Sequence, residues 1–132
     1  MTEYRQDDEL PMVVAKLGWR YHHLGVPTTT PRHDEEYIAQ YKMYVSGFSS
    51  SPYGIEWMRF EPDCPLPEII KTLPHVAFEV DDLDAALRGK EVVFPPGSPS
   101  SGVRAAMIVH NGALVELIAF DRTVSGNREE GD

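Results

Sequence analysis

Cysteine is nearly absent: Cys64 is the only one in 132 residues, so no disulfide can close within the chain. Nothing in that usage implies an oxidising compartment. No apolar run approaches the roughly 20 residues that a membrane-spanning helix needs. Basic residues are scarce as well. Lys and Arg together number 12 against 21 Asp and Glu, a formal net charge of −9. Nucleic acids and anionic membrane surfaces are held mainly through basic patches, so neither is expected as a partner. The opening segment MTEYRQDDEL is acidic and polar, unlike a secretory leader. The expectation is a cytoplasmic protein.

What is present is enough for a core. Hydrophobic residues make up 42% and aromatics 10%, and the length suits a single domain. Residues 1–11 read as a loose arm. A strand-like stretch from Leu17 to Val26 precedes PTTTPRHDEEYIAQY, which reads as a loop and a helix start. There Thr28, Thr29 and Thr30 offer N-caps, Pro31 suits the first turn, and Asp34, Glu35 and Glu36 favour the helix N-terminus. KMYVSGF and IEWMRFEP read as strands around the turn SSSPYG. After a proline-bounded connector, whose Ile69 and Ile70 suggest one helical turn, the series resumes. PHVAFEV is a strand, DDLDAALRG a short capped helix, and KEVVFPP a strand. GVRAAMIVH and ALVELIAF then flank an Asn111-Gly112 hairpin turn. The resulting division is module one at about 17–62, a connector at about 63–72, module two at about 73–121 and a polar tail at about 122–132.

The two modules repeat one another. HHLGVP aligns with PHVAFEV when His23 is placed on His75, an offset of 75 − 23 = 52. IEWMRF aligns with VELIAF when Glu56 is placed on Glu116, an offset of 116 − 56 = 60. The eight-residue difference requires an insertion in the second module, which the GSPSSG loop and the strand before it can supply. Module one reads as a strand short or as having very compact loops.

Alternation of side chains along a strand assigns the faces. Val76, Phe78 and Val80 form a helix-packing face, leaving His75 on the other. Leu24 and Val26 do the same for the first strand, leaving His23 on the inner face with Trp19 and Tyr21. His22 falls on the face of Leu24, making it the poorer ligand, and loss of its ring is expected to leave metal content unchanged. Glu56 shares its face with Met58 and Phe60, and Glu116 with Leu114 and Ile118. A carboxylate in such company needs a partner. A divalent cation would satisfy both glutamates and both histidines, and this nitrogen and oxygen set suits Zn, Ni, Co, Mn or Fe. The plainer alternative is packed or surface histidines with glutamates exposed at sheet edges.

HHLGVP, PHVAFEVDDLDAAL and NGALVELIAF resemble the signature segments of the vicinal oxygen chelate superfamily, over roughly residues 18–121. That superfamily includes glyoxalase I, methylmalonyl-CoA epimerase, extradiol dioxygenases and bleomycin-resistance proteins. The resemblance implies an α+β fold of paired βαβββ modules, an open curved sheet around a metal, and assembly as a homodimer. It also implies His23, Glu56, His75 and Glu116 as metal ligands, with Glu116 or Glu56 as the catalytic base. The usual acidic residue and proline ahead of the final hairpin are replaced by Val109-His110-Asn111-Gly112.

The implied activity is a glyoxalase- or epimerase-like isomerase or lyase acting on a small substrate with vicinal oxygens. An Fe(II) extradiol-type dioxygenase using His23, His75 and Glu116, and a non-catalytic drug- or metabolite-binding protein, are the alternatives. Substrate-facing positions would be Trp19, Tyr21, Met58 and Arg104, although Trp19 and Tyr21 could equally fill the core and Arg104 could be merely solvated. His33 and His110 are expected at the surface and Trp57 in the core. Cys64 has no histidine nearby in sequence, and the Asp81-Asp82-Asp84 cluster reads as helix capping.

Overall fold

The computed structural model describes residues 8–123; the first seven residues of the expected arm and the tail beyond 123 lie outside them. A single helical turn, Val13–Leu17, leads into the first strand. The strands are β1 (Arg20–Pro27), β2 (Glu36–Ile38), β3 (Met43–Ser46), β4 (Ile55–Phe60), β5 (His75–Glu79), β6 (Glu91–Gly97), β7 (Val103–His110) and β8 (Ala113–Phe120). Two short helices, α1 (Glu68–Thr72) and α2 (Leu83–Leu87), flank β5. All eight strands form one mixed sheet in the order β2-β3-β4-β1-β5-β8-β7-β6, curled into a half-barrel.

The pairing makes the repeat visible. In each module the first strand lies parallel to the last, β1 beside β4 and β5 beside β8, and the two first strands meet antiparallel at the centre. Across that centre His23 faces Ala77 and Gly25 faces His75. Outward from it, Gly25 neighbours Glu56 and Ala77 neighbours Glu116. A two-fold exchange therefore swaps His23 with His75, Gly25 with Ala77 and Glu56 with Glu116. The larger offset at the glutamates arises because β6 and β7 are longer than β2 and β3.

Local chemistry explains the joints. Asn111 and Gly112 both take positive φ, 48° and 84°, closing the β7–β8 hairpin in the conformation these residues favour. Asp82 caps α2 by accepting from the Ala85 N–H at 3.0 Å, as the acidic cluster suggested. Ile70 on α1 is buried, and with Met43, Met58, Leu66, Met107 and Leu114 it forms one apolar cluster that also encloses Cys64. Leu83 of α2 packs with Val80, Ile108 and Leu117 in a second cluster. β6 holds Pro95 and Pro96 at the sheet edge, within the register shift between Phe94 and Gly97 where neither residue pairs with β7.

Two local expectations are corrected. The helix read at Thr28–Glu36 does not form; turns lead instead into β2, so module one has its full four strands and lacks its helix. Of its acidic residues, Glu35 is engaged by a neighbouring strand rather than by a helix terminus. Glu35 accepts two bonds from the Arg59 guanidinium, each 2.7 Å, and Tyr37 donates to Glu61 at 2.8 Å. Such tertiary contacts outweigh the few tenths of a kcal/mol per residue that separate helix propensities. The second correction is a bulge in β1, where register slips between Tyr21 and His23 and leaves His22 unpaired with β5.

Candidate metal centre

That bulge decides what faces inward. Trp19 and Tyr21 precede the slip and do not share the side of His23. Trp19 packs with Phe78 in the cluster beside α2, ring centroids 6.2 Å apart. Tyr21 is half exposed and donates to the Tyr53 carbonyl at 2.7 Å. His22 and His23 instead both line a cavity of about 350 Å³ in the hollow of the sheet. Every strand contributes to this cavity, from Ile38 on β2 to Phe94 on β6. Met58 lines it, whereas Arg104 does not, lying half exposed with its guanidinium 3.5 Å from Asp84. His33 and His110 are exposed, and half-buried Trp57 is covered by the Arg32 guanidinium at 4.1 Å.

His23, His75, Glu56 and Glu116 all reach the cavity. The Nε2 atoms of the two histidines are 3.4 Å apart, and Glu116 Oε1 lies 3.3 Å from His23 Nε2 and 3.0 Å from His75 Nε2. Glu56 Oε1 lies 3.4 Å from His23 Nε2. Among the described residues, His23, His75 and Glu116 form the mutual group, with donor atoms all within 4.8 Å of one another. Glu56 stands at its edge.

These spacings fit a coordinated cation. Donors about 2.0–2.1 Å from one first-row ion, at tetrahedral or octahedral angles, lie roughly 2.9–3.4 Å from each other. The histidines are 5% and 3% exposed, and their Nε2 atoms face one another and the glutamates across the space an ion would fill. Two nearly touching imidazole nitrogens and a carboxylate therefore make a cluster able to hold a divalent metal. With Nε2 of His23 given to the ion, its Nδ1 carries the proton and donates to Nδ1 of His22 at 2.7 Å.

Electrostatics separates the two glutamates. Burial pushes the Glu116 carboxyl up, but hydrogen bonds from His23 and His75, and their charge, hold it down at about 2. Burial raises Glu56, the charge of Glu116 adds to that, and the histidines offset only part of it. Burial lowers His23, yet the bond and charge of Glu116 with the charge of Glu56 leave it raised overall. His22 is lowered, first by burial and then by the charge of His23. Neighbouring carboxyls driven apart in this way can take different roles, Glu116 as a permanent anion and Glu56 as a group that exchanges a proton.

Sequence reasoning missed several parts of this centre. Gly25 carries no side chain, yet a Cβ there would lie 2.2 Å from Cε1 of His75. The signal was available as His-Leu-Gly and His-Val-Ala, a small residue two places after each histidine. His22 stacks on Phe48, ring centroids 4.9 Å apart, with Phe120 at 5.5 Å, and so holds the ring that braces His23. His22→Ala is therefore expected to leave metal stoichiometry unchanged but weaken affinity about 10–100-fold, the usual effect of losing a ligand's hydrogen-bond partner. Competition against a chromophoric chelator measures it, and wild-type affinity in the variant would show that His22 is only packing.

No protein-family model and no curated protein matches the sequence. Solved structures do match. A hypothetical protein from Bacillus halodurans C-125 superposes with a TM-score of 0.58 at 15% identity, over 76% of this chain and 94% of that one. Methylmalonyl-CoA epimerase from Mycobacterium tuberculosis superposes with a TM-score of 0.51 at 19% identity, over 81% and 91%. At such identities the likeness shows the fold, an α+β glyoxalase-like half-barrel. Among the described residues, no helix is long and apolar enough to cross a membrane.

Proposed function

We propose that this chain is a member of the vicinal oxygen chelate superfamily working as a metal-dependent isomerase or lyase of the glyoxalase or epimerase type. Its substrate is a small molecule with two adjacent oxygens. The observation that carries this reading is the convergence of His23, His75 and Glu116 on one cavity, with Glu56 beside them. An epimerase of the same fold supports it. A divalent ion held there supplies Lewis acidity to adjacent substrate oxygens, which makes the neighbouring C–H more acidic.

The chain's own residues do the rest. His23, His75 and Glu116 would hold the ion, and His22 would fix the tautomer of His23. Glu56, raised in pKa and outside the tight group, removes the proton and returns it. Met58, Ile118 and Phe120 give the cavity apolar walls.

The test is solvent deuterium exchange into an α-hydroxyketone by the metal-loaded protein, followed by NMR. Exchange at the carbon beside the oxygens is expected. A second reading has one observation in its favour: the mutual group is two histidines and one carboxylate, the ligand set of non-haem Fe(II) oxygenases. No exchange with any hydroxyketone, together with oxygen consumption on catechols by the iron-loaded protein, would replace the first reading with an extradiol-type dioxygenase.

A further inference from the structure

We propose that the cavity selects an uncharged ligand whose body, apart from the two chelating oxygens, is apolar. This deepens the function proposed above and rests on the same metal site. The cavity's walls carry Met43, Met58, Met107, Ile38, Phe94 and Phe120, while its ionisable groups are the histidines and glutamates of the centre and Tyr41. Among the described residues, no Lys or Arg lines it.

Several cations elsewhere are paired with acidic side chains. Arg59 holds Glu35, Arg104 holds Asp84, Lys42 holds Asp63, and Arg20 and Arg122 share Glu79. Two glutamates already balance a divalent ion. A carboxylate or phosphate on the ligand body would therefore lose its hydration without gaining a counter-charge, and would face Glu56 and Glu116 across a medium of low dielectric. Three unbranched thioether side chains adapt readily to differently shaped apolar groups. The volume, about 350 Å³, lies near the lower end of the roughly 300–1,000 Å³ typical of small-molecule sites.

The experiment is calorimetric titration of the zinc-loaded full chain, under argon at neutral pH, with ethylcatechol and with protocatechuate. Both chelate through adjacent oxygens, and only protocatechuate carries an ionised carboxylate on its body. Each affinity is normalised to that catechol's affinity for free zinc. Ethylcatechol is expected to bind at least about tenfold more tightly, the minimum effect of leaving a charge unpaired in such a site. Ser100→Lys, at an exposed position on the cavity's rim, is expected to narrow the gap by strengthening protocatechuate alone. Equal or stronger binding of protocatechuate to the wild type would overturn the proposal. So would a gap that Ser100→Lys leaves unchanged, or no binding of either catechol to protein that holds zinc. Zinc content is measured before any catechol is added. A chain that holds none of zinc, cobalt, nickel, manganese or iron would overturn the proposed function, and this selectivity with it.

Discussion

Replacing Gly25 by alanine is expected to cost about 100-fold or more in metal affinity, at the upper end of what displaced supporting groups cause. The added Cβ would lie 2.2 Å from His75 Cε1 and 2.7 Å from both ring nitrogens. Ordinary contact needs about 3.4 Å or more, so the ring must move by roughly 1 Å. His75 is 3% exposed and pairs directly across from Gly25, which leaves it little room to move without carrying Nε2 away from Glu116 and His23. Backbone strain does not enter, because Gly25 is not among the glycines with positive φ. Gly97→Ala is the control, since its Cβ would meet nothing nearer than Tyr41 Oη at 4.0 Å. Chelator competition on both variants, with circular dichroism to verify folding, checks the expectation. Wild-type affinity in a folded Gly25→Ala protein would mean that His75 is not a ligand.

Glu56→Gln is expected to separate chemistry from metal binding. Glutamine keeps the shape and a carbonyl oxygen 3.4 Å from His23 Nε2, but it cannot accept a proton at useful pH. Solvent exchange into a bound hydroxyketone should slow about 10²-fold or more, the usual scale for losing a general base. Metal affinity should fall far less, because Glu56 is outside the mutual group of His23, His75 and Glu116. The raised pKa of Glu56 makes it a stronger base than Glu116, held at about 2. Exchange that persists at the wild-type rate in Glu56→Gln would remove Glu56 from the mechanism. Affinity that collapses along with exchange would make Glu56 a ligand first.

The sequence carried the arrangement of the centre because the modules repeat. Offsets of 52 and 60 residues align two histidines and two glutamates, and the β1–β5 crossing brings those pairs to one place. It carried the β7–β8 hairpin and the cap on α2 because Asn111-Gly112 and Asp82 act locally. It failed where distant partners decide. The threonines, proline and acids of residues 28–36 have the chemistry of a helix start. Arg59 and Glu61 on or beside β4 draw Glu35 and Tyr37 into a strand edge instead. Period-two reasoning also assumes an unbroken ladder. The bulge at His22 breaks it, which turns Trp19 and Tyr21 away from the cavity and brings His22 into it. No single-residue signal in RYHHLG announces that slip, because it is set by pairing with β5.

The central claim is that one divalent ion is held by His23, His75 and Glu116. Its most direct test is metal content per chain, by mass spectrometry of the metal, after reconstitution and gel filtration of the wild type and His75→Ala. Phe78 and Val80 anchor the His75 strand in the cluster with Leu83 and Leu117, independently of the imidazole, so the variant should fold. The account predicts close to one first-row ion per chain in the wild type and almost none in His75→Ala. Equal metal in both proteins, or none in the wild type with any of zinc, cobalt, nickel, manganese or iron, would contradict it.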